Sequence, residues 1–136
     1  MPGPAGFRER AHTADWELEV WAPDLLSLLE QAARGMYTLM GTSLRPAERI
    51  VREVELPARD PESLLVDFLT ELLYLAEVEG LGVADYHLQL EGDKLLAQVE
   101  SAPIASLAKE IKAVTYHDLA IRQTERGMEA NIVFDV

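Results

Sequence analysis

The side chains in this chain best suited to chemistry are carboxylates at two widely separated places. Asp15 closes the short polar run His12-Thr13-Ala14-Asp15, and Asp135 is the second-last residue, directly before the chain-end carboxylate of Val136. Carboxylate and carbonyl oxygens are the hard donors that calcium and magnesium prefer. If folding brought the two acids together, their charges would repel unless a cation sat between them. Each also has an ordinary reading, Asp15 as a turn aspartate bonding its own backbone and Asp135 as a solvated chain end.

Histidine offers a weaker signal. His12 and His117 each stand beside a strand end near an acid, Asp15 and Asp118. That placement suits metal or acid–base work, and equally a hydrogen-bonded structural histidine. His87 alternates with apolar neighbours and is expected to face water. Lys112 is a lone cation among apolar residues in Glu110-Ile111-Lys112-Ala113-Val114-Thr115-Tyr116-His117, most simply a surface lysine or a salt-bridge donor. Ser101, His117 and Asp118 supply the residue types of a hydrolytic triad, types that coexist by chance in most proteins. The sequence contains no glycine-rich phosphate loop, nucleophile elbow or helically spaced histidine pair. With no cysteine, thiolate catalysis, disulfides and sulfur-based zinc sites are excluded.

Charge narrows the partners. Twenty-four acidic residues against twelve basic ones leave a net charge of −12. A chain that held RNA directly would need a basic stripe to neutralise phosphates, and none is visible, so stable nucleic-acid binding is not expected. Acidity of this kind fits solubility, cations, or a protein partner with a basic surface. The length of 136 residues is that of one domain over 1–136, with 1–6 expected to be flexible. Folding at this size buries roughly two-thirds of the unfolded surface, so a core needs no covalent help. Residues 1–6 lack a basic start and an apolar run, and no window approaches roughly 18 consecutive apolar residues. The expectation is a cytoplasmic protein with no membrane association.

The elements that must position these groups follow from periodicity. Phe7–His12 and Asp15–Trp21 read as extended, with Glu17 and Glu19 alternating with Leu18 and Val20. Pro23 and Asp24 open a helix whose stripe is Leu25, Leu28, Leu29, Ala32, Met36 and Leu39, and Gly41 is placed to stop it in a left-handed cap. Ile50–Leu56 reads as a strand. A second helix has Asp60 as cap, Pro61 in the first turn and Glu62 at the positive helix end. Leu64, Leu65, Phe68, Leu69, Leu72, Leu73 and Ala76 cover about half its circumference. Asp67, Thr70, Glu71 and Tyr74 share its other face, a solvated surface or a binding one, and Gly80 closes it. Tyr86–Leu90 and Leu95–Val99 alternate across Gly92-Asp93, a pair suited to a type II′ turn. Ile111–Thr115 reads as extended, and Leu119–Thr124 should pair with Met128–Val136 across Glu125-Arg126-Gly127. The fold class is α+β, two main helices packed on a largely antiparallel sheet. Strand order is not readable from the pattern.

Taken together, the segments resemble the archease family. His12-Thr13-Ala14-Asp15 followed by Trp21-Ala22-Pro23-Asp24-Leu25 is similar to its N-terminal signature, and Leu64–Leu75 to its central helix. Glu110–His117 and the ending Ile132-Val133-Phe134-Asp135-Val136 resemble its two C-terminal motifs. The resemblance implies a small α+β protein, not itself an enzyme, that binds a divalent cation, usually calcium. It implies Asp15, Asp135 and Val136 as metal ligands and Lys112 as a further functional position; His12, Asp67 and Glu71 are carried as possible functional residues. It also implies a role in tRNA splicing, stimulating an RtcB-type 3′-phosphate RNA ligase by promoting guanylylation of that enzyme and its repeated turnover. Two other readings compete. One is a chaperone or interaction module for RNA-modifying enzymes such as a tRNA methyltransferase. The other is a metal-dependent hydrolase using His12, Asp15 and His117.

Overall fold

The computed structural model describes residues 4–10 and 16–136. Strands β1 (Gly6–Arg10) and β2 (Trp16–Ala22) lead into helix α1 (Leu25–Met40), then β3 (Ser43–Leu44), β4 (Ile50–Pro57) and helix α2 (Pro61–Tyr74). Leu75–Glu79 carries α2 on as a π-helical turn. Strands β5 (Leu81–Glu91), β6 (Lys94–Ser106), β7 (Ala113–Val114), β8 (Arg122–Thr124) and β9 (Gly127–Asp135) complete the chain.

The strands divide into two sheets, and every pairing is antiparallel. In the first, the order β1-β2-β9-β7 has β8 also paired with β9. In the second, β6 is central, with β5 along one side and β4 then β3 along the other. The antiparallel pairing and the two packed helices match the sequence expectation; the division into two sheets adds the strand order that periodicity could not supply.

Local chemistry explains the helix boundaries. The Asp24 carboxylate accepts from the Ser27 N–H at 2.8 Å and Asp60 does the same for Ser63 at 2.8 Å, so each helix start has an orphan amide satisfied. Gly41, at φ +63°, ends α1 in the left-handed conformation that costs a glycine least. Leu28, Leu29, Ala32, Ala33 and Met36 of α1 are fully buried against Leu18, Val20 and Phe134 of the first sheet and against α2. The broad apolar face of α2 is buried on several sides, against α1, β4 and β7.

Several boundaries differ from the sequence reading. Strand β5 begins at Leu81 rather than Tyr86, because Leu81, Gly82 and Val83 are all buried and show no alternation. Of Ile111–Thr115 only Ala113–Val114 pairs, and of Leu119–Thr124 only Arg122–Thr124. The β8–β9 turn closes over two residues, since Thr124 already faces Gly127. The Gly92-Asp93 turn joins Glu91 to Lys94, with positive φ at Gly92 and not at Asp93, as a type II′ turn requires.

Candidate functional site

Strand β9 is the spine of the first sheet, and its last described pairings place the candidate residues. Trp16 opens β2 opposite Phe134, and Ala113 of β7 faces Asp135 from the other side. Asp15 and His12 lie outside the described residues, so the structure bears on neither. Asp135 is exposed at the strand end, and Val136 is half-buried beyond it. These two residues offer hard oxygen donors suited to calcium or magnesium. Among the described residues, no group of three or more histidine, aspartate or glutamate side chains converges to hold a metal.

Residues 107–121 form an irregular strap across this end of the molecule. Its shape is set by tethers rather than by regular pairing. The Met40 carbonyl at the end of α1 accepts from the Ala108 and Lys109 amides, at 2.8 and 3.1 Å. The Lys112 amide donates to the Asp135 carbonyl at 2.7 Å, and the Thr115 amide and hydroxyl both donate to the Val133 carbonyl at 3.0 Å. Further on, the Glu62 carboxylate accepts from the Ile121 amide at 2.8 Å. Ile111 and Val114 are the strap's buried side chains and anchor it to the core.

Lys112 is thereby held by its backbone next to Asp135 while its side chain stays exposed. It borders a cleft of about 400 Å³ lined also by Met40 of α1, Leu73 of α2, Ala76 and Glu77 of the π-helical turn, and Glu110. Among the described residues the Lys112 ammonium makes no ion pair within this chain. Asp67 and Glu71 do not line this cleft. At 100° per residue they lie roughly 120° and 160° around the helix from Leu73.

The remaining candidates are dispersed. His117 pairs with Asp118 at 3.3 Å, both exposed, in a small cleft of about 150 Å³ shared with Glu17 and Asn131. Ser101 is fully buried on β6 of the other sheet and donates to the Ile50 carbonyl at 2.7 Å, so its hydroxyl is committed away from that pair. His87 is exposed, 3.4 Å from Glu100. One residue escaped the sequence reading. The Lys109 ammonium lies 4.1 Å from the centre of the Trp16 ring, a cation–π contact that fastens the strap to the residue following Asp15. The signal available in sequence was the spacing of Lys109 and Lys112 on either side of Glu110-Ile111.

The fold and this site together define a small two-helix α+β domain that gathers an exposed acid and an exposed lysine where its central strand meets a tethered strap. Nearly the whole chain matches known proteins. A family model described as the Archease protein family (MTH1598/TM1083) matches residues 7–136. The protein archease of Methanosarcina acetivorans is 34% identical, with 92% of each chain covered, and that of Archaeoglobus fulgidus is 35% identical, covering 96% of this chain and 98% of its own. The crystal structure of a Thermotoga maritima archease, described as a possible chaperone, superposes with a TM-score of 0.71 at 25% identity, covering 95% of this chain and 96% of that one. The solution structure of Methanobacterium thermoautotrophicum protein 1598 gives a TM-score of 0.73 at 26% identity, covering 96% and 99%. The chain belongs to the archease family. No helix among the described residues is long and apolar enough to cross a membrane.

Proposed function

We propose that this chain is a cytoplasmic accessory protein of tRNA splicing that activates an RtcB-type 3′-phosphate RNA ligase, promoting the ligase's guanylylation and repeated turnover. The observation that carries the reading is the register at the end of β9. Trp16, next in sequence to Asp15, pairs with Phe134, next in sequence to Asp135, in a chain that matches the family over residues 7–136. Asp15, Asp135 and Val136 would hold a divalent cation, calcium by the chemistry of the donors, since carboxylate and main-chain oxygens are what that ion takes. When bound, the ion supplies concentrated positive charge at an otherwise acidic corner.

The chain's own residues contribute orientation and charge. Asp135 is fixed through its backbone by Lys112, so a partner meets an acid and a lysine rooted side by side where β7 pairs with β9. The net charge of −12 disfavours RNA as the direct partner and favours the basic cleft of an RNA-handling enzyme. The test is a ligation assay with and without this protein. Strong stimulation of multiple turnover is expected, lost when a long tag is appended after Val136; full stimulation by the tagged protein would overturn the reading.

A second reading, a chaperone or interaction module for RNA-modifying enzymes, is favoured by the description of the Thermotoga maritima relative as a possible chaperone. It predicts suppressed aggregation of client enzymes with no dependence on Asp15 or Asp135, which a light-scattering assay with the double Asp→Asn variant distinguishes.

A further inference from the structure

Apart from the Lys112 cleft lies a second pocket, of about 370 Å³, within the size range of small-molecule sites. None of its lining residues lines the Lys112 cleft. It opens between β1 and β5, edge strands of the two sheets, over the second half of α1. We propose that this pocket binds a small, flat heteroaromatic molecule that carries carbonyl or ring-nitrogen acceptors on its rim.

The pocket walls hold unused hydrogen-bonding capacity. Tyr86 is 7% exposed, yet its buried hydroxyl has no hydrogen-bond partner, and the buried Thr42 hydroxyl has none either. Tyr37 is equally enclosed; its hydroxyl oxygen accepts from the Val83 amide at 3.2 Å, which leaves its own O–H free to donate. Buried polar groups are nearly always paired in folded proteins, because an orphaned one forfeits its hydration without return. Three residues that line one pocket, from α1, the segment after it and β5, thus carry hydroxyl protons with no acceptor, which a ligand that settles among them could supply.

Much of the rest of the lining is apolar or aromatic in character. Phe7, Leu44 and Val83 are apolar, and the Arg34 guanidinium sits 5.0 Å from the centre of the Tyr86 ring. Such surfaces favour a flat ring. Charge then selects among flat rings. Arg34 is already paired with Glu30, at 3.0 Å through both Nε and its terminal nitrogen, so the pocket has no spare cation for an anionic group. Burial holds the Tyr37 hydroxyl's pKa up to about 12 and pushes that of Tyr86 higher still, so both remain donors at neutral pH. Neutral donors over apolar walls match an uncharged ring with acceptor atoms.

Titration of the full-length protein with adenine, uracil and benzoate, followed by amide NMR shifts, tests the proposal. Saturable shifts at Val83 and Tyr86 are expected with adenine or uracil and not with benzoate. Tyr86→Phe and Thr42→Val should each weaken that binding by about fivefold, the loss of roughly one neutral hydrogen bond. Because Tyr86→Phe also removes an orphaned hydroxyl, it should leave the free protein as stable or raise its Tm by a few degrees. Absence of saturable shifts with both heteroaromatics, binding of benzoate alone, binding indifferent to both substitutions, or a markedly lower Tm for Tyr86→Phe would each overturn it.

Discussion

The two ends of β9 are built on opposite principles. At its start, charge is consumed internally. Arg126 donates to Glu19 at 2.9 Å and to Glu129, while its guanidinium lies 4.3 Å from the centre of the Trp21 ring. Glu19 is only 14% exposed and also lies 3.8 Å from Arg8 and 3.7 Å from Arg10. At its finish, Asp135 and Lys112 are exposed, neither pairs with an opposite charge among the described residues, and only backbone bonds hold them in place. One end spends its charges on the fold. The other keeps them for something outside it, which is the physical content of the accessory role proposed above.

Breaking the start should cost stability first. Gly127 sits at φ +95°, and a Cβ there would run into the carbonyl oxygen of Ala22. Gly127→Ala therefore combines a disfavoured backbone with a clash against main chain, which cannot swing aside. About 3 kcal/mol or more of unfolding free energy should be lost, read from urea midpoints. Ligase stimulation per folded molecule should survive, because the finish of β9 is untouched.

Breaking the finish should invert that pattern. Asp135→Asn keeps the side-chain volume and leaves the Asp135 carbonyl that binds Lys112, so stability should change by less than about 0.5 kcal/mol. Calcium affinity and ligase stimulation should fall on the order of 100-fold, roughly 2.7 kcal/mol of function. Calorimetry with calcium and the ligation assay give the two readouts. Unchanged values in both would remove the finish of β9 from the mechanism.

A smaller effect should come from loosening the strap. Glu62 reaches 59 residues along the chain to accept the Ile121 amide. Glu62→Ala removes that acceptor and a negative charge at the α2 start, worth about 1–2 kcal/mol together. Hydrogen exchange at Ile121 should accelerate, and ligase stimulation should fall several-fold at most, because the Lys112–Asp135 tether remains.

The two ends also differ in how far sequence disclosed them. The alternation of Ala130, Ile132 and Phe134 and the glycine at 127 announced the strand and its turn, because both are local properties. So did the capped helices, where Asp24 and Asp60 stand three residues before the amides they satisfy. The strap did not announce itself. Its partners are Met40, Glu62 and Val133, all remote in sequence, and no local period encodes contacts of that range. Of the candidate site, the position of Asp135 was legible as a strand end and Lys112 as a surface lysine among apolar residues. The Lys109–Trp16 contact was not, since it depends on how the strap folds back. Tyr86 read only as a strand residue; its pocket needs Tyr37 and Thr42 from another part of the chain.

The smallest expected effect concerns acid, and it belongs to the start of β9 alone. The hydrogen bond from Arg126, then that from the Thr124 side chain, holds the Glu129 carboxyl below its ordinary value of 4.5. A carboxylate in that position binds its proton less readily in the folded chain than in the unfolded one. Its stabilising contribution is complete above the unfolded value and fades as pH falls through the lower folded one. Glu129 is only partly enclosed and its Arg126 partner is about a third exposed, so water screens the pair and the contribution stays small. Urea midpoints measured from pH 7 down to about 3 should decline below about pH 4.5, and Glu129→Gln should flatten part of that decline while lowering the neutral plateau slightly. An acid slope identical in the two proteins would mean that Arg126 gains nothing from Glu129 that water does not already give it, and that the charges at the start of β9 are as unspent as those at its finish.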